Sequence, residues 1–153
     1  MVSILFVCMG NICRSPAAEG ILKKLADEKG IGSLHIESCG MGDWYVGKLP
    51  DERMREAAKA RGVVLSSRAK QFDRAFFESF DYILASDKEV LNSLLHHAQS
   101  SGHKAKVHLM TAFSSSFTGQ DVPDPYYYGN GAFEGVLDIL EDACEGLLEQ
   151  IKQ

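Results

Sequence analysis

The 153-residue chain has no long apolar run, few cysteines and no excess of positive charge. No apolar run approaches the roughly 18 to 20 residues that cross a bilayer. The short segment 4–7 (ILFV) lacks a basic leader, so it indicates a buried strand rather than a signal peptide. The sequence therefore predicts a cytoplasmic chain without membrane contact.

The scarcity of cysteine and of positive charge excludes further classes. The four cysteines, at positions 8, 13, 39 and 144, are too few for a disulfide scaffold and indicate reduced thiols. The formal net charge of −5 argues against general nucleic-acid binding, which needs a basic face. An anionic small substrate stays compatible, because the local field of a site can oppose the overall charge. Cys8 and Cys13 lack the second pair or histidine spacing of a zinc site, so no metal is expected.

Apolar segments typical of strands alternate with helical periodicity along the whole chain. Strands are predicted at residues 3–7, 34–38, 81–85 and 106–110. Helices are predicted from Ser15 to about residue 29, and at about 50–61, 87–99 and 133–151. Ser15 is a good N-cap and Pro16 suits the first helical position. This alternation predicts an α/β fold in one domain, residues 1–153, with a parallel sheet covered by helices on both faces. The long segment 111–131 is predicted to be a functional loop.

The segment 8–15 (CMGNICRS) joins the first predicted strand to the first predicted helix. A loop that enters a helix N-terminus directs several backbone N–H groups into one space, where the helix dipole adds partial positive charge. Gly10 and Asn11 tolerate positive φ, so the loop can curl into an anion-binding nest. Arg14 can add a bidentate clamp on two phosphate oxygens. The segment therefore predicts a phosphate site.

Cys8 stands at the end of the first strand, which is the usual ligand position in open α/β sheets. The same loop favours the thiolate form of Cys8, a nucleophile for in-line attack on phosphorus. Ser15 can donate a hydrogen bond to the sulfur. A buried cysteine at a strand end is usually a packing residue, but its place at this strand-to-helix turn favours catalysis.

Asp124 is the candidate acid that protonates the leaving oxygen of a phosphate ester. Pro125 restricts Asp124 to an extended conformation and stiffens the loop. Beside a thiolate and a phosphate dianion, a carboxyl group tends to keep its proton. It could then activate water against a cysteinyl phosphate. Taken alone, Asp-Pro is more often a turn.

Three blocks, 7–20 (VCMGNICRSPAAEG), 43–54 (DWYVGKLPDERM) and 124–129 (DPYYYG), resemble the low-molecular-weight protein tyrosine phosphatase family. They occur in the family's order near the start, middle and end of the chain. The resemblance implies a four-stranded parallel sheet of the doubly wound, phosphotyrosine phosphatase I-like kind, with no metal or organic cofactor. It implies phosphotyrosine proteins and small aryl phosphates as substrates, inorganic phosphate as product, and a monomer or weak dimer. Some bacterial relatives are secreted without a signal peptide.

The resemblance also implies roles for individual residues. Cys8 would be the nucleophile, Arg14 the phosphate clamp and Asp124 the general acid and base. An aromatic wall around the substrate ring would come from Trp44, Tyr126 and Tyr127, although Trp44 would also suit a half-buried core position. The phosphate-binding loop, with the residues that organise it, comprises Met9, Gly10, Asn11, Ile12, Cys13 and Ser15.

Some positions depart from the family pattern or leave alternatives open. Many members carry a histidine where Ser67 falls, and it helps to order the loop asparagine; Ser67 would do so through its hydroxyl, or that support is missing. Asp87 matches a family aspartate, whereas Ser86 stands where a larger residue is common. In relatives the Cys13 position can form a reversible disulfide with the nucleophile. Simple packing under the loop explains Cys13 equally well.

Three alternative functions fit the sequence less well. An arsenate reductase needs resolving cysteines after the third strand, and residues 79–99 contain none. Related arginine phosphatases tend to have threonine where this chain has Ile12, which instead offers an apolar wall to a phenyl ring. A catalytically silent phosphoprotein-binding or redox-sensing module is the third alternative. The presence of Cys8, Arg14 and Asp124 together argues against it.

Overall fold

The central strand, β1 (Val2–Cys8), is apolar on both faces and buried on both. Because side chains alternate along a strand, Ile4 and Phe6 point to one face and Leu5 and Val7 to the other. The two pairs belong to two separate core clusters. Burial on both faces is the pattern of a parallel sheet covered on each side.

The computed structural model describes residues 1–152; Gln153, the end of the predicted domain, and the side chain of Asn130 lie outside the described residues. The sheet has the order β2-β1-β3-β4 and all three pairings are parallel. The fold class is confirmed as α/β with a four-stranded parallel sheet. The other strands are β2 (Leu34–Gly40), β3 (Tyr82–Ala85) and β4 (Val107–Leu109). The helices are α1 (Arg14–Glu28), α2 (Glu52–Ala60), α3 (Phe76–Ser79), α4 (Lys88–His97), α5 (Ser101–Ala105) and α6 (Asn130–Lys152).

Helices cover both faces of the sheet, as predicted. One cluster packs α1, α2 and α6 against Ile4 and Phe6, with Phe133 of α6 almost fully buried. The other packs α3 and α4 against Leu5 and Val7. Among the described residues no helix is long and apolar enough to cross a membrane.

The start of α1 differs from its prediction. The helix begins at Arg14 and its N-cap is Cys13, which makes no capping bond through its side chain. Ser15 is therefore not the cap and Pro16 is not the first helical residue. The Ser15 hydroxyl lies 3.0 Å from the sulfur of Cys8 instead. Ser15 lies inside the first turn of α1, and its hydroxyl contacts Cys8 and Asn11 rather than a backbone N–H of the helix, so the capping prediction was wrong.

Candidate active site

The site lies at the carboxyl end of β1, where the strand order reverses between β1 and β3. Ligands of open α/β sheets bind in the crevice at such a switch point. Residues 9–13, the phosphate loop, lead from β1 into α1. Asp87 follows β3 and caps α4 by accepting a hydrogen bond from the backbone of Val90 at 2.8 Å. The parallel register therefore places Asp87 on the same edge of the sheet as the phosphate loop.

Two polar groups contact the sulfur of Cys8. The backbone N–H of Asn11 points at Sγ from 3.2 Å, and the Ser15 hydroxyl lies 3.0 Å from it. Ser15 in turn accepts a hydrogen bond from the amide of Asn11 at 2.8 Å. A hydrogen bond donated to sulfur stabilises its negative charge.

Asn11 gives the phosphate loop its curl. Its φ is 59°, the left-handed region that asparagine tolerates better than most residues. The side chain is buried beneath the loop, where its amide donates to Ser38 at 3.0 Å and its carbonyl accepts from the backbone of Lys70 at 3.0 Å. These bonds stabilise the strained residue from below.

Ser67 supports Asn11 indirectly. Its hydroxyl donates to the carboxylate of Glu19 at 3.1 Å, and Ser38 donates to the same oxygen at 2.6 Å. Glu19 is buried and also pairs with Lys23 at 2.6 Å. Ser67 therefore acts on Asn11 through Glu19 and Ser38, which resolves the alternative that the sequence left open.

Arg14 is buried with its guanidinium fixed from two sides. One nitrogen, Nη1, donates to Asp87 at 2.6 Å and to the carbonyl of Val122 at 3.0 Å. Burial alone would lower the pKa of Arg14, but Cys8 and the hydrogen-bonded Asp87 outweigh it and raise that pKa above its ordinary value. Arg14 therefore keeps a permanent positive charge in a fixed orientation.

Asp124 approaches the other nitrogen of the same guanidinium. Its Oδ2 lies 3.8 Å from Nη2 of Arg14, and its Oδ1 accepts from the backbone of Tyr126 at 3.0 Å. About 46% of the side chain is exposed, so a proton can pass between the carboxyl group and a bound molecule. Upstream, the backbone of Val122 donates to Ser86 after β3 at 2.8 Å, which anchors this loop to the sheet.

A pocket of about 310 Å³ brings most of the predicted site residues together. Asn11 and Ser15 lie beneath it and do not line it. Trp44 is 64% exposed, which excludes the core position that the sequence also allowed. Tyr45 lines the pocket as well, and the sequence argument did not single it out. The lining comprises Cys8, Met9, Gly10, Ile12, Cys13, Arg14, Trp44, Tyr45, Asp124, Tyr126 and Tyr127.

Two further thiols, those of Cys13 and Cys39, lie close to Cys8. Burial, reinforced for Cys13 by the carboxylate of Asp51, raises the pKa of Cys13 and of Cys39. Both are free cysteines, as is Cys8. Within residues 1–152, no three His, Cys, Asp or Glu side chains form a group that could hold a metal ion.

Phosphoryl transfer through a cysteine is the chemistry that this strand-to-helix loop supports, so the fold and the site define a cysteine-dependent phosphatase. A match to a known family defines the class of phosphatase more narrowly. The model of the low molecular weight phosphotyrosine protein phosphatases matches residues 3–153, and the chain belongs to that family.

Relatives cover the whole chain. The low molecular weight protein-tyrosine-phosphatase YfkJ of Bacillus subtilis is 40% identical over 100% of this chain and 97% of its own. A solved protein tyrosine phosphatase from Entamoeba histolytica is 38% identical with a TM-score of 0.95, over 99% and 97% of the two chains. A solved Drosophila arginine phosphatase is 31% identical with a TM-score of 0.91, over 98% of each chain. The activity is hydrolysis of phosphotyrosine through a cysteinyl-phosphate intermediate, the mechanism general to the family.

Gly40, at the end of β2, is a site residue that sequence reasoning missed. A methyl group at this position would lie 2.9 Å from backbone atoms of Met9 and Gly10 and 3.0 Å from the nitrogen of Asn11. The phosphate loop therefore packs directly on the bare backbone of β2. A glycine inside a strand marks such a close approach, but the strand was predicted to end at residue 38, so this signal was lost.

Gly40→Ala is expected to displace the phosphate loop. Because catalytic geometry tolerates little misplacement, we expect kcat/KM for p-nitrophenyl phosphate to fall about tenfold or more. Overpacking should also lower the free energy of unfolding by about 1–3 kcal/mol, measured by urea denaturation. Gly32→Ala is the control, since a methyl group there meets nothing within 4 Å. Equal activity of the two variants would contradict the packing argument.

Proposed function

We propose that the nucleophile of the reaction is Cys8, the phosphate clamp is Arg14, and the general acid and base is Asp124. The observation that carries this proposal is their convergence on one pocket, with Asp124 and Arg14 within 3.8 Å of each other. Sγ of Cys8 attacks phosphorus, the S–P bond forms, and the P–O bond of the ester breaks as Asp124 gives its proton to the leaving oxygen. Water then attacks phosphorus while Asp124 takes its proton, the S–P bond breaks, and inorganic phosphate leaves.

The phosphate group is bound by the loop and by the guanidinium. We propose that backbone N–H groups of residues 9–13, apart from that of Asn11, which points at the sulfur, bind the phosphate oxygens together with the first turn of α1. The α1 dipole favours the charge of these oxygens. Arg14 supplies its remaining N–H groups as a planar clamp. Asn11 and Ser15 organise the loop rather than touch the substrate. The proposed phosphate-binding loop, counted with these two organising residues, comprises Met9, Gly10, Asn11, Ile12, Cys13 and Ser15.

The aromatic rim selects an aryl phosphate. Trp44, Tyr126 and Tyr127 line the pocket and offer ring faces to a phenyl ester. Ile12 also lines the pocket and adds an apolar wall, which suits phosphotyrosine better than a phosphorylated guanidinium. We therefore propose phosphotyrosine proteins and small aryl phosphates as substrates and place phosphoarginine second, although a Drosophila arginine phosphatase shares the fold.

The domain organisation, oligomeric state and location of the chain are also proposed. We propose that residues 1–153 act as one phosphatase domain, as a monomer or weak dimer, without nucleic acid or membrane as partner. The net charge of −5 supports the absence of nucleic-acid binding. We propose a cytoplasmic location, with secretion without a signal peptide as the route by which the chain would leave a cell. Size-exclusion chromatography and cell fractionation test these points.

Asp124→Ala tests the proposed acid. The loss of kcat/KM, which reports the step that breaks the P–O bond, is expected to reach about 10²-fold or more with phenyl phosphate, because a poor leaving group needs its proton in the transition state. With p-nitrophenyl phosphate the loss should be smaller, since that leaving group departs as an anion more readily. Steady-state kinetics with the two substrates measures the difference.

Asp121→Ala is the matched control, because Asp121 belongs to the same loop but pairs with Lys88 at 3.3 Å. It should retain the activity of the unaltered protein with both substrates. An equal loss with both substrates in Asp124→Ala would remove the proposed acid role.

A further inference from the structure

Residues 125–129, which follow Asp124, have little regular structure to hold them. Within this segment the described backbone bonds are local, from Tyr128 to the carbonyl of Pro125 and from Ala132 to that of Gly129. Asp124 itself is half exposed and accepts its hydrogen bond from Tyr126, a member of the same segment. The orientation of the carboxyl group therefore depends on what holds Tyr126.

Arg53, near the start of α2, holds this segment. Its Nη2 donates to the carbonyl of Tyr126 at 2.9 Å and its Nη1 to the carbonyl of Tyr128 at 3.4 Å. These two bonds tie the backbone of the segment to α2, whereas Tyr45 bonds to the Tyr126 side chain and Ala132 of α6 to the carbonyl of Gly129. The guanidinium also lies over the rings of Tyr126 and Phe133, at 5.6 Å and 4.8 Å from their centroids.

Asp51 fixes Arg53 from the other side. Its carboxylate accepts two side-chain bonds from Arg53, at 3.1 Å from Nε and 3.0 Å from Nη2, in a bidentate pair. Burial would raise the pKa of Asp51, but the hydrogen bonds from Arg53 outweigh it and the net pKa is lowered. Asp51 is therefore a carboxylate at neutral pH, and the pair is charged.

The same Asp51 is bound to the phosphate loop. Its backbone N–H donates to the carbonyl of Ile12 at 2.7 Å. A continuous chain of contacts thus runs from Ile12 through the pair of Asp51 and Arg53, here called the 51–53 clamp, to Tyr126 and its hydrogen bond with Asp124. The carbonyl of Tyr126 accepts a hydrogen bond from Arg53, and its N–H donates one to Asp124. Tyr126 therefore links the 51–53 clamp directly to the carboxyl group of Asp124.

We propose that Arg53 is a positioning residue for Asp124. The 51–53 clamp sets the distance between the loop that binds phosphate and the acid that protonates the leaving group. Arg53 touches neither the phosphate nor the leaving oxygen. This inference rests on the proposed function, because it assigns a support to the acid named there.

Arg53→Met tests the inference, since methionine keeps an apolar stem against the two rings and removes all four side-chain hydrogen bonds. We expect kcat/KM with phenyl phosphate to fall about tenfold or more, because a displaced acid protonates the leaving group poorly. With p-nitrophenyl phosphate the fall in kcat/KM should be about threefold or less, for the same reason as in Asp124→Ala.

A double variant separates positioning from general damage. If Arg53 acts through Asp124, adding Arg53→Met to Asp124→Ala should lower kcat/KM with phenyl phosphate by less than about twofold further. Arg55→Met on the same helix is the matched control, since Arg55 bonds to the carbonyl of Pro50 at 2.9 Å and should retain activity with both substrates. If Arg53→Met does not fold, as judged by circular dichroism, Arg53→Lys takes its place in the same comparison.

The outcomes distinguish the two proposals. Losses in Arg53→Met that are equal for both substrates, or that multiply fully with those of Asp124→Ala, would overturn the positioning role. Unchanged kinetics in Arg53→Met would overturn it too. If Asp124→Ala itself shows no dependence on the leaving group, the acid role fails first, and the support assigned to Arg53 fails with it.

Discussion

Cys8→Ser is expected to reduce the hydrolysis of aryl phosphates and phosphotyrosine peptides by about 10⁴-fold or more. A hydroxyl group is ionised far less than a thiol, so the same hydrogen bonds that stabilise sulfur cannot supply an oxygen nucleophile at neutral pH. The loop itself should survive, because Asn11 keeps its bonds to Ser15 and Ser38. The variant should therefore still bind inorganic phosphate, measured by isothermal titration calorimetry.

The covalent intermediate gives a second readout of the same prediction. Rapid acid quench followed by mass spectrometry should find a phosphoryl group on the peptide that contains Cys8 in the unaltered protein and none in Cys8→Ser. Cys144→Ala is the control, because Cys144 is buried in α6 far from the phosphate loop in sequence and belongs to the apolar core. Activity in Cys8→Ser within tenfold of that of the control would exclude a cysteinyl phosphate.

Arg14→Lys is expected to lower kcat/KM by about 10²- to 10³-fold. Arg14 uses Nη1 for Asp87 and Val122, which leaves Nη2 and Nε to face the substrate. Lysine carries one point charge and cannot bond Asp87 and clamp two phosphate oxygens at once. The loss should be larger in kcat than in binding, since the equatorial oxygens carry most charge in the transition state.

The binding of inorganic vanadate, which mimics that geometry, measures the transition-state part of the effect. Arg14→Lys should weaken vanadate inhibition by a factor close to its loss in kcat/KM. Arg68→Lys is the control, because Arg68 is exposed and bonds to the carbonyl of Gly47. If Arg14→Lys inhibited and turned over like the control, the guanidinium would not be the phosphate clamp.

The prediction of the fold from sequence succeeded where local signals were strong. Alternating apolar strands and periodic helices, seen in segments such as 3–7 and 133–151, anticipated β1 and most of α6. The short helices α3 and α5 were missed, since four or five residues carry too little periodicity to be recognised. The N-cap of α1 was predicted at Ser15 from residue preferences. In the structure α1 begins one residue earlier, and the Ser15 hydroxyl contacts the sulfur of Cys8.

The support of the site was much harder to foresee. Arg53 and Tyr126 are 73 residues apart in the chain, as are Arg14 and Asp87, and both pairs are in contact. The sequence singled out Arg14, Tyr126 and Asp87 for other reasons, but it did not indicate these contacts. The contacts follow from the register of the strands and the packing of the loops, which no local pattern specifies.

The sequence by itself determined the chemistry of the phosphate loop. Cys8, a turn that admits Asn11 in the left-handed region, and Arg14 lie within one strand-to-helix connection, so backbone geometry alone brings them near one another. Two contacts of this loop with distant parts of the chain depend on the tertiary structure. They are the packing of the loop on the backbone of Gly40 and the 51–53 clamp that links it to the segment after Asp124. Local conformation is encoded in neighbouring residues, whereas contacts between distant segments exist only after the sheet and its helices have packed.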